Sequence, residues 1–188
     1  MNRVDDMLIY LQYFQRDWIE NKIKTCAKTQ ENGLLPLAKK LLIQGLQKEG
    51  ESMAYLTLFH LQSSLWTGSY QYKIVLSNET LYLDPLQVMD HWIPEHLYKD
   101  VDELRMRVEW ELRNHYVRLE PFEVESVVRS ILMDYQNIAQ IYWGQETAKL
   151  IETKEFHLLR KHKNWKILFG SYMGELRLIH SQRKEEIS

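Results

Sequence analysis

The sequence predicts an α+β protein in which an N-terminal helical hairpin and C-terminal helices pack on a small antiparallel β-sheet. Three observations carry this. Residues 52–84 are the only long stretch with β character. The chain on either side shows apolar residues at steps of three and four. Seven Gly and four Pro leave room for few long loops. One domain over residues 1–188 is expected, since 45% apolar residues is an ordinary globular value.

Residues 4–48 read as the hairpin. Val4, Leu8, Leu11, Phe14, Trp18, Ile23 and Cys26 form the stripe of one helix over 4–29, stopped by Glu31-Asn32-Gly33. A second helix over 34–48 has Leu34, Leu37 and Leu41 on its apolar face and Pro36 in its first turn, where the missing N–H costs nothing.

A three-stranded meander is expected over 53–84. Residues 53–66 are apolar on both alternating faces, which suits a strand covered on both sides, although Ala54, Leu58, Leu61 and Leu65 also fit a buried helix. Tyr72, Ile74 and Leu76 alternate with Gln71 and Lys73, so the Gln71–Lys73 side is expected to meet water or a partner. Leu81 and Leu83 are assigned to a third strand, ended by Asp84-Pro85.

Residues 95–153 read as helices, with residues 86–99 irregular or a short helix. Val101, Leu104, Val108 and Leu112 form one stripe. Val124, Val128, Ile131, Tyr135, Ile138 and Tyr142 form another, starting at Pro121. As a single rod to Thr153 this would run roughly 50 Å at 1.5 Å per residue, so a break near Gly144 or a protruding end is expected. Residues 154–188 form a basic segment and mixed tail. Asn164 is expected to close a turn, residues 165–170 to add a strand, Ser171 to cap a short helix, and SQRKEEIS to fray.

The function classes are narrowed by charge and cysteine usage. A net charge of −2 is no signature for nucleic acid or an anionic membrane. Cys26 is the one cysteine, so no internal disulfide forms and a reducing cytoplasm fits. It reads as a buried small hydrophobe rather than a nucleophile. The N-terminus lacks a basic region before its apolar run, unlike a signal peptide. The uncharged run 52–72 contains His60, Gln62, Ser63 and Ser64, unlike a membrane span. His60 itself reads as a satisfied core histidine or a polar spot on a sheet face.

Few clusters suggest chemistry. Asp90-His91-Trp92-Ile93-Pro94-Glu95-His96 crowds two imidazoles and two carboxylates, and His91, Glu95 and His96 are the weak metal candidates for a metal-dependent hydrolase. The spacing is one residue longer than H-x-x-E-H and holds a Pro. On a helix His91 and His96 would point apart. Glu111 and His115, at i, i+4, are a partial site of the same kind. Leu168-Phe169-Gly170-Ser171-Tyr172 resembles the opening of the nucleotidyltransferase signature over five residues, but no Asp follows to supply its metal-binding pair.

Arg160, Lys161, Lys163, Lys166 and Arg177, with Lys154, Arg183 and Lys184, could form a phosphate-binding patch over 154–184, although Glu152, Glu155 and Glu175 dilute it. Residues 95–135 instead carry ten acidic and six basic residues, a mild charge asymmetry that can orient a partner. Six Trp, eleven Tyr and five Phe exceed what a core needs, and Tyr10, Tyr13, Tyr70, Tyr72 and Tyr98 are candidates for a surface.

With no P-loop, G-x-S-x-G or G-x-G-x-x-G, the favoured reading is a non-enzymatic interaction or regulatory protein of the bacterial cytosol, with no cofactor and no catalytic residues. Its partner is expected to be another protein or a second copy, as a homodimer. Nucleic acid is the alternative, and no membrane is expected.

Overall fold

The structure, a computed structural model, describes residues 2–26, 33–48 and 50–181. Its contacts divide the chain into a helical unit, residues 1–31 and 94–138, and a sheet unit, residues 32–93 and 139–188. The α+β class expected from the sequence is the one that forms.

The helical unit contains α1 (Arg3–Tyr10), α2 (Gln12–Cys26), α5 (Glu95–Tyr98), α6 (Val101–Arg113), α7 (Pro121–Met133) and the start of α8 (Tyr135–Leu150). Met7, Leu11, Leu104, Val108, Leu112, Val127, Val128 and Ile131 make its core; Leu11, Leu104, Val108, Leu112, Val128 and Ile131 lie on the expected stripes, Met7 and Val127 do not, and Ile23 of the first stripe is exposed. Asn2 caps α1 through a capping box with Asp5. Arg3 ties the α6–α7 connection to α1. Its guanidinium donates to the carbonyls of Val117 (3.1 Å) and Arg118 (2.9 Å) and pairs with the buried Glu123 at 3.3 Å.

The first stripe does not form one helix. It is interrupted at Leu11, whose ψ of 5° loosens the run although its N–H still reaches the Met7 carbonyl. The end expected at Glu31-Asn32 lies outside the described residues. The long rod breaks as well, but at Asp134 rather than Gly144. The Asp134 N–H bonds back to Ile131 and its carbonyl accepts from Asn137, a tighter turn than the α-helical one, while its carboxylate takes the Gln15 side chain at 2.7 Å. Gly144 lies inside α8 with open space where a Cβ would stand, so nothing there calls for a break.

The sheet unit contains α3 (Leu34–Leu46), β1 (Met53–His60), α4 (Gln62–Thr67), β2 (Tyr72–Ser77), β3 (Val88–Trp92), the rest of α8, α9 (Lys154–Leu158), β4 (Lys161–Ser171) and β5 (Leu176–Ser181). The strand order is β3-β2-β1-β4-β5. β1 and β4 run parallel and the other neighbours antiparallel, so the sheet is mixed rather than a pure meander.

Helices cover one face. A Cβ at Gly45 of α3 would press on the Leu76 side chain. Lys40 of α3 pairs with Asp90 of β3 at 2.7 Å. Tyr142 of α8 meets Trp92 edge-on, and Phe156 of α9 meets Trp165.

Four expectations in this unit are corrected. The strand expected over 53–66 ends at His60, and α4 follows. The Ser64 hydroxyl lies 2.6 Å from the Leu61 carbonyl and 3.0 Å from that of Gln71, and the Ser64 carbonyl accepts from Ser69 and Tyr70, which folds the chain into one short helix. The third strand is not 81–83, which is a 3-10 turn. The buried Asp84 carboxylate accepts the N–H groups of Asn78 and Leu86, both at 2.8 Å, and closes 78–86 into a loop, so pairing resumes only at Val88.

Asn164 closes no turn. It lies in β4, where the register against β1 slips between Lys161 and Lys166. Ser171 caps no helix, because residues 172–175 form the turn of a β4–β5 hairpin. Of SQRKEEIS, only Ser181 is described.

His60 is fully enclosed, and among the described residues neither ring nitrogen has a hydrogen-bond partner. It is therefore a core histidine, but not a satisfied one.

Two outcomes follow from this packing. A Cβ at Gly170 would run into the Glu175 backbone carbonyl, which cannot give, whereas at Gly45 it meets the movable tip of Leu76. Gly170→Ala is expected to cost about 3 kcal/mol and Gly45→Ala about 1 kcal/mol in urea unfolding; equal costs would refute the hairpin's close approach. Burial also pushes the His60 pKa below its usual value. The unfolded chain then binds the extra proton, so this contribution to stability is present above pH 6.5 and is lost as pH falls through the folded pKa. His60→Gln should flatten the stability profile below pH 6.5, leaving a remainder from His96, which is shifted the same way by burial and by Lys22 and Lys99.

Candidate interaction surface

The sheet's second face is built by side chains that alternate with its helix-covered set. The register aligns one row across all five strands: Met89, Val75, Thr57, Leu168 and Leu178. Its middle is buried, but Met89 and Leu178, on the two edge strands, are 50% and 56% exposed. The next row is His91, Lys73, Phe59, Gly170 and Leu176.

Over Phe59 lie Tyr82 and Tyr172, each with ring centroids 5.4 Å away, and the two tyrosines meet edge-on at 5.5 Å. The Lys73 ammonium sits 5.0 Å above the Tyr172 ring. Lys73 is half-buried, but Val75 and Ser77 on the same side of β2 are buried, so the strand is covered on both faces rather than half-covered as expected.

The two turns that carry these tyrosines break a local rule. Leu81 (φ 50°) and Met173 (φ 60°) occupy the left-handed region, which costs a side chain with a Cβ on the order of 1–2 kcal/mol. Beside them stand Leu83, 84% exposed, and Met173 itself, 66% exposed. Apolar side chains are thus held outward by strained turns around an aromatic cluster, a pattern that belongs to functional loops.

The sequence hinted at this surface through Lys73 and the Gln71 side, but gave no sign of Leu83, Met89, Met173 or Leu178. Of the tyrosines singled out, Tyr72 and Tyr98 are core, while Tyr10 stacks on His115 at 4.2 Å.

The metal candidates lie on different elements. His91 is exposed on β3 in the sheet unit. Glu95 and His96 belong to α5 in the helical unit. Glu111 is on α6, but His115 falls beyond that helix's end at Arg113 and is engaged by Tyr10. Among the described residues no group of three or more His, Cys, Asp or Glu side chains comes together as a metal site.

The basic residues also disperse. Arg160 donates to the Gly50 carbonyl. The Lys161 ammonium lies on the Phe156 and Leu159 carbonyls at the end of α9, and burial lowers its pKa. Arg177 reaches Gln140 of α8 on the helix-covered face. Lys166 pairs in register with Tyr55, so it projects from the other face, and Lys163 is exposed beside the β4 irregularity. Arg183 and Lys184 lie outside the described residues.

The helical unit holds the most chemically varied cluster. Lys22 is 5% exposed and its ammonium meets the Asp100 carboxylate at 2.5 Å and the Tyr135 ring at 5.5 Å. The Trp18 indole donates to the Tyr135 hydroxyl at 2.9 Å, while burial drives that hydroxyl's pKa far above the usual range. The clefts of about 470 Å³ (Gln12, Arg16, Glu20, Asn137) and about 270 Å³ (Arg105, Glu109, Arg113, Pro121) are lined by other residues. The Arg105 guanidinium in the second is already held by Glu125 and Asp102.

Comparison with family models, with curated proteins and with solved structures returns no match. Among the described residues no helix is long and apolar enough to cross a membrane.

The Lys22 pair has a measurable asymmetry. Asp100 keeps partial access to water, with its side chain 24% exposed, whereas Lys22 has almost none. Asp100→Asn strands a buried ammonium and should cost more than Lys22→Met, about 4 against about 3 kcal/mol in chemical unfolding. The reverse order would mean that the ammonium reaches water.

Proposed function

We propose that the chain is a non-enzymatic interaction protein of a reducing cytoplasm, which binds a protein partner through the second face of its sheet. The observation that carries this is the continuous row from Met89 to Leu178, dry in the middle and exposed at both ends. The chain itself already covers the middle, so a partner reaching Met89 or Leu178 at the ends would extend an existing core rather than start a new one. Met and aromatic side chains are the types enriched at interfaces. The single cysteine, buried at the end of α2, supports the reducing compartment.

The nucleic-acid alternative has less support. Stacking on bases needs open aromatic faces, and here Phe59 is buried while a Tyr172 face is occupied by Lys73.

A photo-reactive residue placed at Leu178 or at Met173 in cells of the source organism is expected to give one discrete protein adduct. The same residue at Ile141, an exposed position of α8, should give none. Adducts at all three positions, or at Ile141 alone, would sink the proposal. An adduct of twice the chain's own mass would identify the partner as a second copy.

A further inference from the structure

We infer that the partner presents an acidic segment with apolar anchors; this rests on the sheet face being the binding surface. The charge distribution over the strands supplies the argument. Their one carboxylate is Asp90, on the helix-covered face, where Lys40 takes it. The register positions of the other face hold Lys73, Lys166 and His91 and no acid.

At the margin, Glu79 faces His162 at 3.5 Å, and Glu175 lies in the β4–β5 turn. The apolar row is therefore bordered by lysines on its own face, Lys166 on one side and Lys73, next to His91, on the other. A segment with Asp or Glu flanking one or two large apolar residues satisfies both features at once: the anchors cover an exposed end of the row, at Leu178 or Met89, and the carboxylates meet the lysines beside it.

A second copy satisfies them less well. A two-fold pairing of this face brings the same patch against itself, and so sets lysines facing lysines.

The test is selection from a displayed library of random 16-residue peptides on the immobilised full-length chain. Affinities of the enriched peptides are then read by fluorescence anisotropy. Enriched peptides should be acidic with apolar anchors. They should weaken roughly tenfold on Lys166→Glu and lose binding on Leu178→Glu. Lys73→Glu should act like Lys166→Glu, but it also disturbs Tyr172, so the exposed Lys166 variant decides.

Enriched peptides that are neutral or basic yet still depend on Leu178 overturn the acidic partner and leave the face in place. No enrichment, or binding indifferent to Leu178→Glu, overturns both. A 12-nucleotide oligouridylate bound through Lys166 and Lys73 would put nucleic acid in the partner's place. A sedimenting dimer broken by Leu178→Glu would put a second copy there. Either result refutes the inference.

Discussion

Everything in the sheet unit hangs on the parallel pairing of β1 with β4. Leu56 sits beside Ile167 and Leu58 beside Phe169, partners more than a hundred residues apart in sequence. Parallel strands cannot be joined by a hairpin, so the chain makes a long excursion between them. That excursion includes β2, β3 and the whole of Pro94–Ile138. Loop-closure entropy grows only logarithmically with length, so an excursion this long costs little more than a short one would. The gain is a central strand buried on both faces, which is why MAYLTLFH is apolar in both registers. The slip in β4 near Asn164 shows how firmly this pairing is imposed: the irregular residues are accommodated as a bulge and the register recovers at Lys166.

Once β1 and β4 are side by side, the two faces are treated differently. Face-covering helices need small or yielding residues at their closest approach, and α3 supplies Gly45 against Leu76. The helix-covered face also takes the polar groups that have fixed partners, Asp90 with Lys40 and Arg177 with Gln140. The other face is reached by turns, not by helices of this unit. Asp84 gathers one such turn and places Tyr82 over Phe59; the hairpin after Gly170 brings Tyr172 to the same ring. Both turns keep a branched or long apolar residue at positive φ, where Gly or Asn would be easier. Local cost at two adjacent turns is consistent with a use for the side chains they display.

Much of the fold was legible because periodicity is a local property. The α3 face and the α6 stripe were read from spacing alone, and their boundaries hold to within a residue or two. What escaped were decisions made by side-chain hydrogen bonds. Ser64 turned the end of an apolar run into α4. Asp84 moved the third strand from 81–83 to Val88–Trp92. Asp134 placed the break that Gly144 did not need. Single polar residues in apolar surroundings carry no period, so pattern reading passes over them. The short helix expected after Ser171 misled in the opposite sense, since that segment forms a hairpin with an irregular register. The surface was less legible: on the Lys73 side of β2, Val75 and Ser77 are buried, and Met89 and Leu178 acquire meaning only once β3 and β5 are known to be the edges.

The helical unit buries ionisable groups and pairs them. Lys22 has Asp100, Tyr135 has Trp18, and Glu123 has both Arg3 and the start of α7. A buried ion pair of this kind contributes little net stability, but its directional contacts fix how α2, the start of α6 and the start of α8 meet. Apolar side chains point outward in both units: Met106, Trp110, Val117 and Phe122 in the helical unit, and Leu83, Met89, Met173 and Leu178 in the sheet unit. Exposed apolar side chains therefore do not by themselves distinguish the sheet unit; what it has in addition is Lys73 and Lys166 beside a row aligned across five strands.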